Sequence, residues 1–348
     1  MDLRKLDKIL ENEKPFRKKQ IYEGLYRHFY ENLADITGLP KPLMEKLKSK
    51  CSADINAEVF EDLNTVKVLI TLEDGEKVEA VLMRHGTRNT VCVSCQVGCA
   101  LGCKFCSTGK MGLIRNLTSD EILEQVVFFS RYLKKEDERI TNIVYMGMGE
   151  PLMNLEAVLD SIKVLNDDKM FAIGIRRISI STAGYLPGIT KLIESDFTGN
   201  LAFSLHSPYE KTRSEIMPVN DNYSLADTLG ELSRYVYKTK RKLFVEYLLL
   251  KGVNDDKDSA LALADLLKMR IGSLVTVNLI EYNYTGVFDT SPRSSMLEFK
   301  NVLAQEGVNV TERYRFGRNI EGACGQLATD RPKSVETVVC ENGGCEIE

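Results

Sequence analysis

The chain has 348 residues, 43% of them hydrophobic and 28% charged, with 46 Lys and Arg against 50 Asp and Glu for a net charge of −4. This ordinary soluble composition leaves room for one large core and a small satellite, and it excludes a protein that binds nucleic acid by overall basicity. No run of about 18 apolar residues occurs and the start is charged, so a cytoplasmic protein without membrane contact is expected.

Nine cysteines, five of them between Cys92 and Cys106, point to metal or redox chemistry rather than a disulfide framework. Residues 1–52 read as a small basic helical domain. Twelve Lys and Arg stand against eight Asp and Glu in the first fifty positions, with Leu3, Leu6, Ile9, Leu10, Ile21, Leu25 and Phe29 at helical spacing. Lys14, Arg17, Lys18, Lys19 and Arg27 are its candidate phosphate contacts. In residues 53–89 the period changes to two: Val66, Val68 and Ile70 lead into Asp74-Gly75, and Val78, Ala80 and Leu82 follow, which predicts a β-hairpin extension. Glu79 falls on the face opposite Val78 and Ala80, where spacing alone gives an exposed carboxylate.

From residue 90 to residue 330 strand and helix alternate. Strands are predicted at 90–94, 140–146, 177–181, 201–205, 243–250 and 275–280, with helices at 120–133, 155–165, 225–237 and 260–269 between them. That order predicts an α/β fold of parallel strands with right-handed crossovers. A helix near 295–305 and a strand near 308–315 follow. Residues 331–348 are expected to be a disordered tail with free thiols at Cys340 and Cys345.

The chemistry concentrates in Cys99-Ala-Leu-Gly-Cys103-Lys-Phe-Cys106, directly after the first predicted parallel strand. Three thiolates hold three irons of a [4Fe–4S] cubane, and the missing fourth leaves one iron open to a small molecule. Structural zinc needs four closed ligands, usually as two pairs, and fits this spacing poorly.

At these residues the chain resembles the radical S-adenosylmethionine (SAM) enzymes. Within them it resembles the RlmN/Cfr adenosine methyltransferases, through Cys92-Val-Ser-Cys-Gln-Val-Gly-Cys99, Gly147-Met-Gly-Glu-Pro151, Ser204-Leu-His206 and Ala323-Cys324-Gly-Gln-Leu327. The resemblance implies a partial (β/α)6 radical SAM barrel, open on one side, with its site at the C-terminal strand ends. It implies cluster ligands Cys99, Cys103 and Cys106, and SAM contacts at Gly149, Glu150, Ser181, Ser204, Leu205, His206 and Asn283.

It also implies three catalytic residues. Cys324 would carry a methyl taken from one SAM, while a second SAM supplies the radical. Glu79 would accept the ring proton, and Cys92 would resolve the adduct through a transient disulfide. The implied partners are 23S ribosomal RNA, with transfer RNA as a second substrate, and a one-electron donor such as flavodoxin or ferredoxin, for a monomeric enzyme.

Two departures stand out. Asn283-Tyr-Thr-Gly286 replaces the family's proline-rich turn, and Cys95 stands where the family usually has serine. Pro151 and Val97 side with methylation at carbon 2, whereas Ser204-Leu-His-Ser-Pro-Tyr209 and Gly102-Cys-Lys-Phe-Cys106 also occur in the carbon 8 branch. The rival from another class is a non-enzymatic zinc-binding or redox-sensing RNA-binding protein.

Overall fold

The computed structural model describes residues 3–50, 54–317, 319–329, 338–341 and 344–347. Three helices open the chain: α1 (Leu3–Leu10), α2 (Pro15–Tyr26) and α3 (Lys41–Lys50). Leu6, Leu10, Ile21, Leu25, Leu43 and Leu47 are buried at helical spacing. The helices dock on the rest of the chain through Arg131, which donates to Tyr30 O at 2.6 Å and Phe29 O at 3.3 Å, and Lys134, which donates to His28 O at 2.7 Å.

Strands β1 (Ala57–Asp62), β2 (Thr65–Thr71), β3 (Lys77–His85) and β4 (Arg88–Cys92) run antiparallel in sequence order. Between β2 and β3 the expected turn is present: Gly75 has φ +87° and donates its N–H to Leu72 O at 3.0 Å. Strand β1 is an addition to the predicted hairpin.

Beyond β4 come β5 (Gln96–Gly98), α4 (Ser107–Met111), β6 (Leu113–Asn116) and α5 (Ser119–Lys134). Helix α5 opens on a capping box between Thr118 and Glu121. The alternation continues through β7 (Asn142–Tyr145), α6 (Leu155–Asn166), β8 (Ile178–Thr182), α7 (Leu186–Glu194), β9 (Asn200–Ser204), α8 (Glu210–Ile216), α9 (Val219–Asn222) and α10 (Leu225–Thr239). It ends with β10 (Leu243–Leu249), α11 (Lys257–Arg270), β11 (Val275–Glu281), α12 (Arg293–Gln305) and β12 (Val310–Glu312).

Strands β4, β7, β8, β9, β10, β11 and β12 pair in that order and in parallel. The six predicted strands are therefore present within a few residues, and β12, the strand expected near 308–315, joins them in parallel as a seventh. The array stays open among the described residues, because β12 pairs only with β11 while β4 continues into the β3–β2–β1 meander. Strand residues such as Ile143, Ile180, Phe203, Val245 and Val277 are fully buried, as expected of parallel strands covered by helices.

The expectation of a disordered tail is corrected. Strands β13 (Val338–Glu341) and β14 (Gly344–Ile347) form an antiparallel hairpin, and β13 pairs antiparallel with β1. Asn342-Gly343 stands between them in sequence, a strong hairpin signal, and the outer edge of β1 provides the unpaired groups that a further strand needs. The side chains of Cys340 and Cys345 lie outside the described residues. No helix among the described residues is long and apolar enough to cross a membrane.

Candidate active site

The cysteine loop is held by its own backbone and by α8. Cys99 N–H donates to Gly112 O at 2.9 Å, Cys106 N–H to Cys103 O at 3.1 Å, and Lys104 N–H to Ile216 O at 3.0 Å. Gly98, before the first cysteine, has φ +75°, and a Cβ there would stand 1.9 Å from Gly112 O, so no other residue fits. Burial pushes the Cys99 thiol up to about 12 and Cys103 well above the usual thiol range, and the charges of Cys99 and Cys106 each raise Cys103 further.

Among the described residues no three His, Cys, Asp or Glu side chains close to the spacing around one metal ion. Beside the loop lies a counter-charge. Arg213 is fully buried, and its guanidinium donates to Ala183 O and Asn220 Oδ1 at 2.6 Å and to Leu205 O and Ser204 O at 3.2 Å, none of them a carboxylate. A buried cation bonded only to neutral acceptors favours a nearby anion, and its charge lowers Cys103. Three thiolates carrying an iron–sulfur cluster are such an anion, so the donor set and its surroundings fit the group.

The predicted SAM contacts gather at the strand ends above this loop. Gly149 has φ +100°, and a Cβ there would meet the Gln96 side chain at 2.5 Å. Glu150 is buried and anchors the loop: its N–H donates to Gln96 Oε1 at 2.8 Å, while its carboxylate accepts from Leu152 N–H at 3.1 Å and Ala183 N–H at 2.8 Å. Burial pushes its carboxyl up to about 7. Ser181 lies near the end of β8 and Ser204 closes β9; Leu205 N–H donates to Glu246 O at 3.1 Å.

His206 has φ +57° and accepts from Leu248 N–H on Nδ1 at 3.0 Å, which leaves its proton on Nε2. Burial, with the Arg213 charge, lowers it to about 3, and its ring meets Phe105 of the cysteine loop edge-to-face at 4.8 Å. Asn283 is placed differently from a free ligand. Its amide donates to Cys324 O at 3.1 Å and its oxygen accepts from Arg315 at 3.3 Å, so it clamps the Cys324 loop.

The Cys324 segment comes back to the cysteine loop from beyond β12. Thr108 Oγ1 donates to Leu327 O at 2.6 Å and Ser107 N–H to Gly325 O at 2.8 Å, which seats the segment on α4. The residue is exposed, yet enough protein surrounds its thiol to push it up to about 11. Cys92, at the end of β4, is buried and pushed up to about 12, and the Cys324 charge raises it further. Cys95 is buried, and its thiol lies 3.6 Å from Met148 O, engaged in the loop after β7.

Glu79 is not the exposed hairpin carboxylate that spacing alone suggests. The face of β2 and β3 bearing Lys67, Leu69, Glu79 and Val81 meets the segment after β12: Leu69 packs among Phe60 and Ile320, Gly322 lies beside Lys67, and Ala328 reaches Glu79. Glu79 bonds Lys67 Nζ at 2.9 Å and accepts Ala328 N–H at 3.1 Å.

Three charged residues near the site are absent from the sequence reading. Lys67 carried a usable signal: it lies diagonally across the hairpin from Glu79, on the same face and with the opposite charge. Arg213 carried none. Arg313, bonded bidentately to Glu246 at 2.6 and 3.0 Å, lowers both Cys92 and Cys324, and a strand-end arginine carries no signal for that place either. In the helical domain Lys14, Lys19 and Arg27 are exposed, whereas the Lys18 amine bonds Glu11 O at 3.2 Å.

The description "Radical SAM superfamily" matches residues 93–264. A protein of Dictyoglomus thermophilum named "Probable dual-specificity RNA methyltransferase RlmN" is 42% identical over 319 residues, covering 90% of this chain and 91% of that protein. The "Ribosomal RNA large subunit methyltransferase N" of Nitrosopumilus maritimus is 40% identical over 328 residues, 90% of this chain and 93% of its own. A crystal structure of a radical SAM methyltransferase from Sphaerobacter thermophilus superposes with a TM-score of 0.87 at 38% identity, covering 95% of this chain and 98% of that one.

Proposed function

Because the chain belongs to the RlmN family of radical SAM RNA methyltransferases, we propose that it methylates carbon 2 of an adenosine in 23S ribosomal RNA, with transfer RNA as a second substrate. The convergence of Cys324, Cys92 and Glu79 beside the cysteine loop, from three distant stretches of chain, carries this function. Carbon 2 of adenine is flanked by nitrogens and is no nucleophile. The [4Fe–4S] cluster at Cys99, Cys103 and Cys106, together with SAM, supplies the radical chemistry that such a carbon needs.

The chain's own residues divide the remaining work. Gly149, Glu150, Ser181, Ser204, Leu205 and His206 hold SAM at the strand ends, and Asn283 holds the Cys324 loop beneath it. Cys324 takes a methyl by displacement: a sulfur–carbon bond forms as the sulfonium bond breaks. Its thiol proton must leave first, and Arg313 favours that loss. After the carrier carbon is joined to the ring, Glu79 accepts the ring proton on a carboxylate oxygen. Cys92, having lost its proton, then attacks the Cys324 sulfur, forming a disulfide while the carbon–sulfur electron pair leaves with the nucleotide, and a proton from solvent on that carbon completes the methyl.

The test is nucleoside mass spectrometry of a 23S ribosomal RNA fragment treated with reconstituted protein, SAM and a reductant. A new 2-methyladenosine is expected. A methyl on carbon 8 would overturn the regiochemistry, and no methylated adenosine on either RNA would overturn the function.

A further inference from the structure

We infer that Lys67 is a positioning residue for the methyl transfer, fixing both the charge and the place of Glu79, an inference that rests on Glu79 being the proton acceptor. The two side chains are each 1% exposed and meet at 2.9 Å between Nζ and Oε1. Lys67 is held from behind by Phe60, whose ring centroid lies 5.4 Å from the ammonium. The main chain of Glu79 is fixed as well: its N–H meets Met148 Sδ at 3.4 Å and its O accepts Ser94 Oγ at 2.6 Å.

The carboxylate is thus divided. One oxygen belongs to Lys67, and the other accepts Ala328 N–H at 3.1 Å from the segment that carries Cys324. Each element packed on Glu79 contributes a known group. Strand β2 presents the Lys67 ammonium, the C-terminal segment presents backbone N–H groups of Ala328 and Thr329, the loop after β7 presents Met148, and β4 carries the Cys92 thiol opposite Val81.

Lys67 is therefore the cation that balances this carboxylate. Burial favours the neutral acid, and the charge of Lys67 is the largest effect opposing it. On balance burial wins and holds the Glu79 carboxyl above its ordinary value, and Lys67 limits that rise and so favours the carboxylate form. When the ring carbon–hydrogen bond breaks, its electron pair stays on the nucleotide and the proton forms an O–H bond on Glu79. Without Lys67 no cation opposes the effect of burial, the neutral acid is favoured further, and a carboxyl that holds its proton cannot accept another.

The experiment uses full-length, cluster-reconstituted protein with SAM, a reductant and a 23S ribosomal RNA fragment, comparing Lys67→Met, Lys67→Arg and Glu79→Gln between about pH 7 and 9.5. At pH 7, Lys67→Met should release product at least about tenfold more slowly than the parent and accumulate RNA-linked protein on a denaturing gel. Release should recover as pH rises, whereas Glu79→Gln should stay slow at every pH, the double variant should match Glu79→Gln, and Lys67→Arg should stay near the parent.

Parent-like release by Lys67→Met would overturn the inference, and so would a defect that ignores pH. Glu79→Gln turning over normally would overturn the proton-acceptor role and this inference with it. Should Lys67→Met not fold, infrared difference spectra of the parent against Glu79→Gln decide. A carboxylate band is expected at pH 7, and a protonated carboxyl stretch would overturn the inference.

Discussion

Cys99, Cys103 and Cys106 come from eight consecutive residues, and their loop is held by a bond within it, by Gly112 close after it, by α8 through Lys104 N–H to Ile216 O at 3.0 Å, and by Thr285, whose Oγ1 donates to Phe105 O at 3.3 Å. Cys92 and Cys324 come from the first parallel strand and from beyond the last. Cys324 is fixed mainly by other elements: Asn283 on its carbonyl, Ser107 and Thr108 on the residues after it, and Glu79 on Ala328. The first centre is a property of a loop, and only the loss of a ligand breaks it. The second is a property of the assembled barrel, so a distant anchor can break it while both thiols remain.

The largest effect lies in the loop. Cys103→Ala should abolish SAM cleavage, measured as 5′-deoxyadenosine and iron content; cleavage at the parent rate would remove the loop from the chemistry. In the assembled centre, Cys324→Ala and Cys92→Ala should both lose turnover but fail differently. Cys92→Ala should leave a nuclease-sensitive protein–RNA species on a denaturing gel, absent from Cys324→Ala and from the double variant. If Cys95→Ala accumulates that species instead, the resolving thiol is Cys95.

Protonation separates the same two thiols. Both are pushed up, to about 11 for Cys324 and about 12 for Cys92, so both are neutral near pH 7 and gain reactivity as pH rises toward those values. Alkylation of Cys324 in cluster-free protein should climb about tenfold per pH unit from 7 to 10. Mass mapping should show Cys92, which is buried, lagging far behind. A pH-independent rate at Cys324 would show that its surroundings do not hold the proton.

Outside both centres, changing Lys14, Lys19 and Arg27 to glutamate should weaken RNA binding and reduce the slope of log affinity against log salt by roughly 2 to 3, leaving RNA-free SAM cleavage intact. An unchanged slope would make this face merely solvated. The smallest effect is the anchor. Asn283→Ala removes the hydrogen bond to Cys324 O, worth about 1 kcal/mol, along with the Arg315 contact, and should slow methylation of Cys324 about fivefold without raising the KM for SAM. A raised KM with normal methylation would return Asn283 to the cofactor.

Much of this protein is written locally. The cysteine spacing, the strand–helix alternation and the Asp74-Gly75 turn each depend on residues a few positions apart, and periodicity and turn chemistry act over that range. The Asn342-Gly343 signal was equally local, but it needed the free edge of β1 to become a paired hairpin. Glu79 and Lys67 show where local information stops. On an isolated hairpin their face is the wet one, and only a segment folding back from beyond β12 makes it interior, turning two surface charges into a buried pair.

Arg213, Arg313 and Asn283 follow the same rule, since each acts on a group brought to it by the barrel. Sequence alone determined which chemistry this chain carries, because cluster ligands packed into one loop need only spacing. The tertiary structure decided which thiol meets which, which carboxylate is buried and which cation balances it. Burial and pairing are set by the long-range order of the strands, and no window of the chain contains that order.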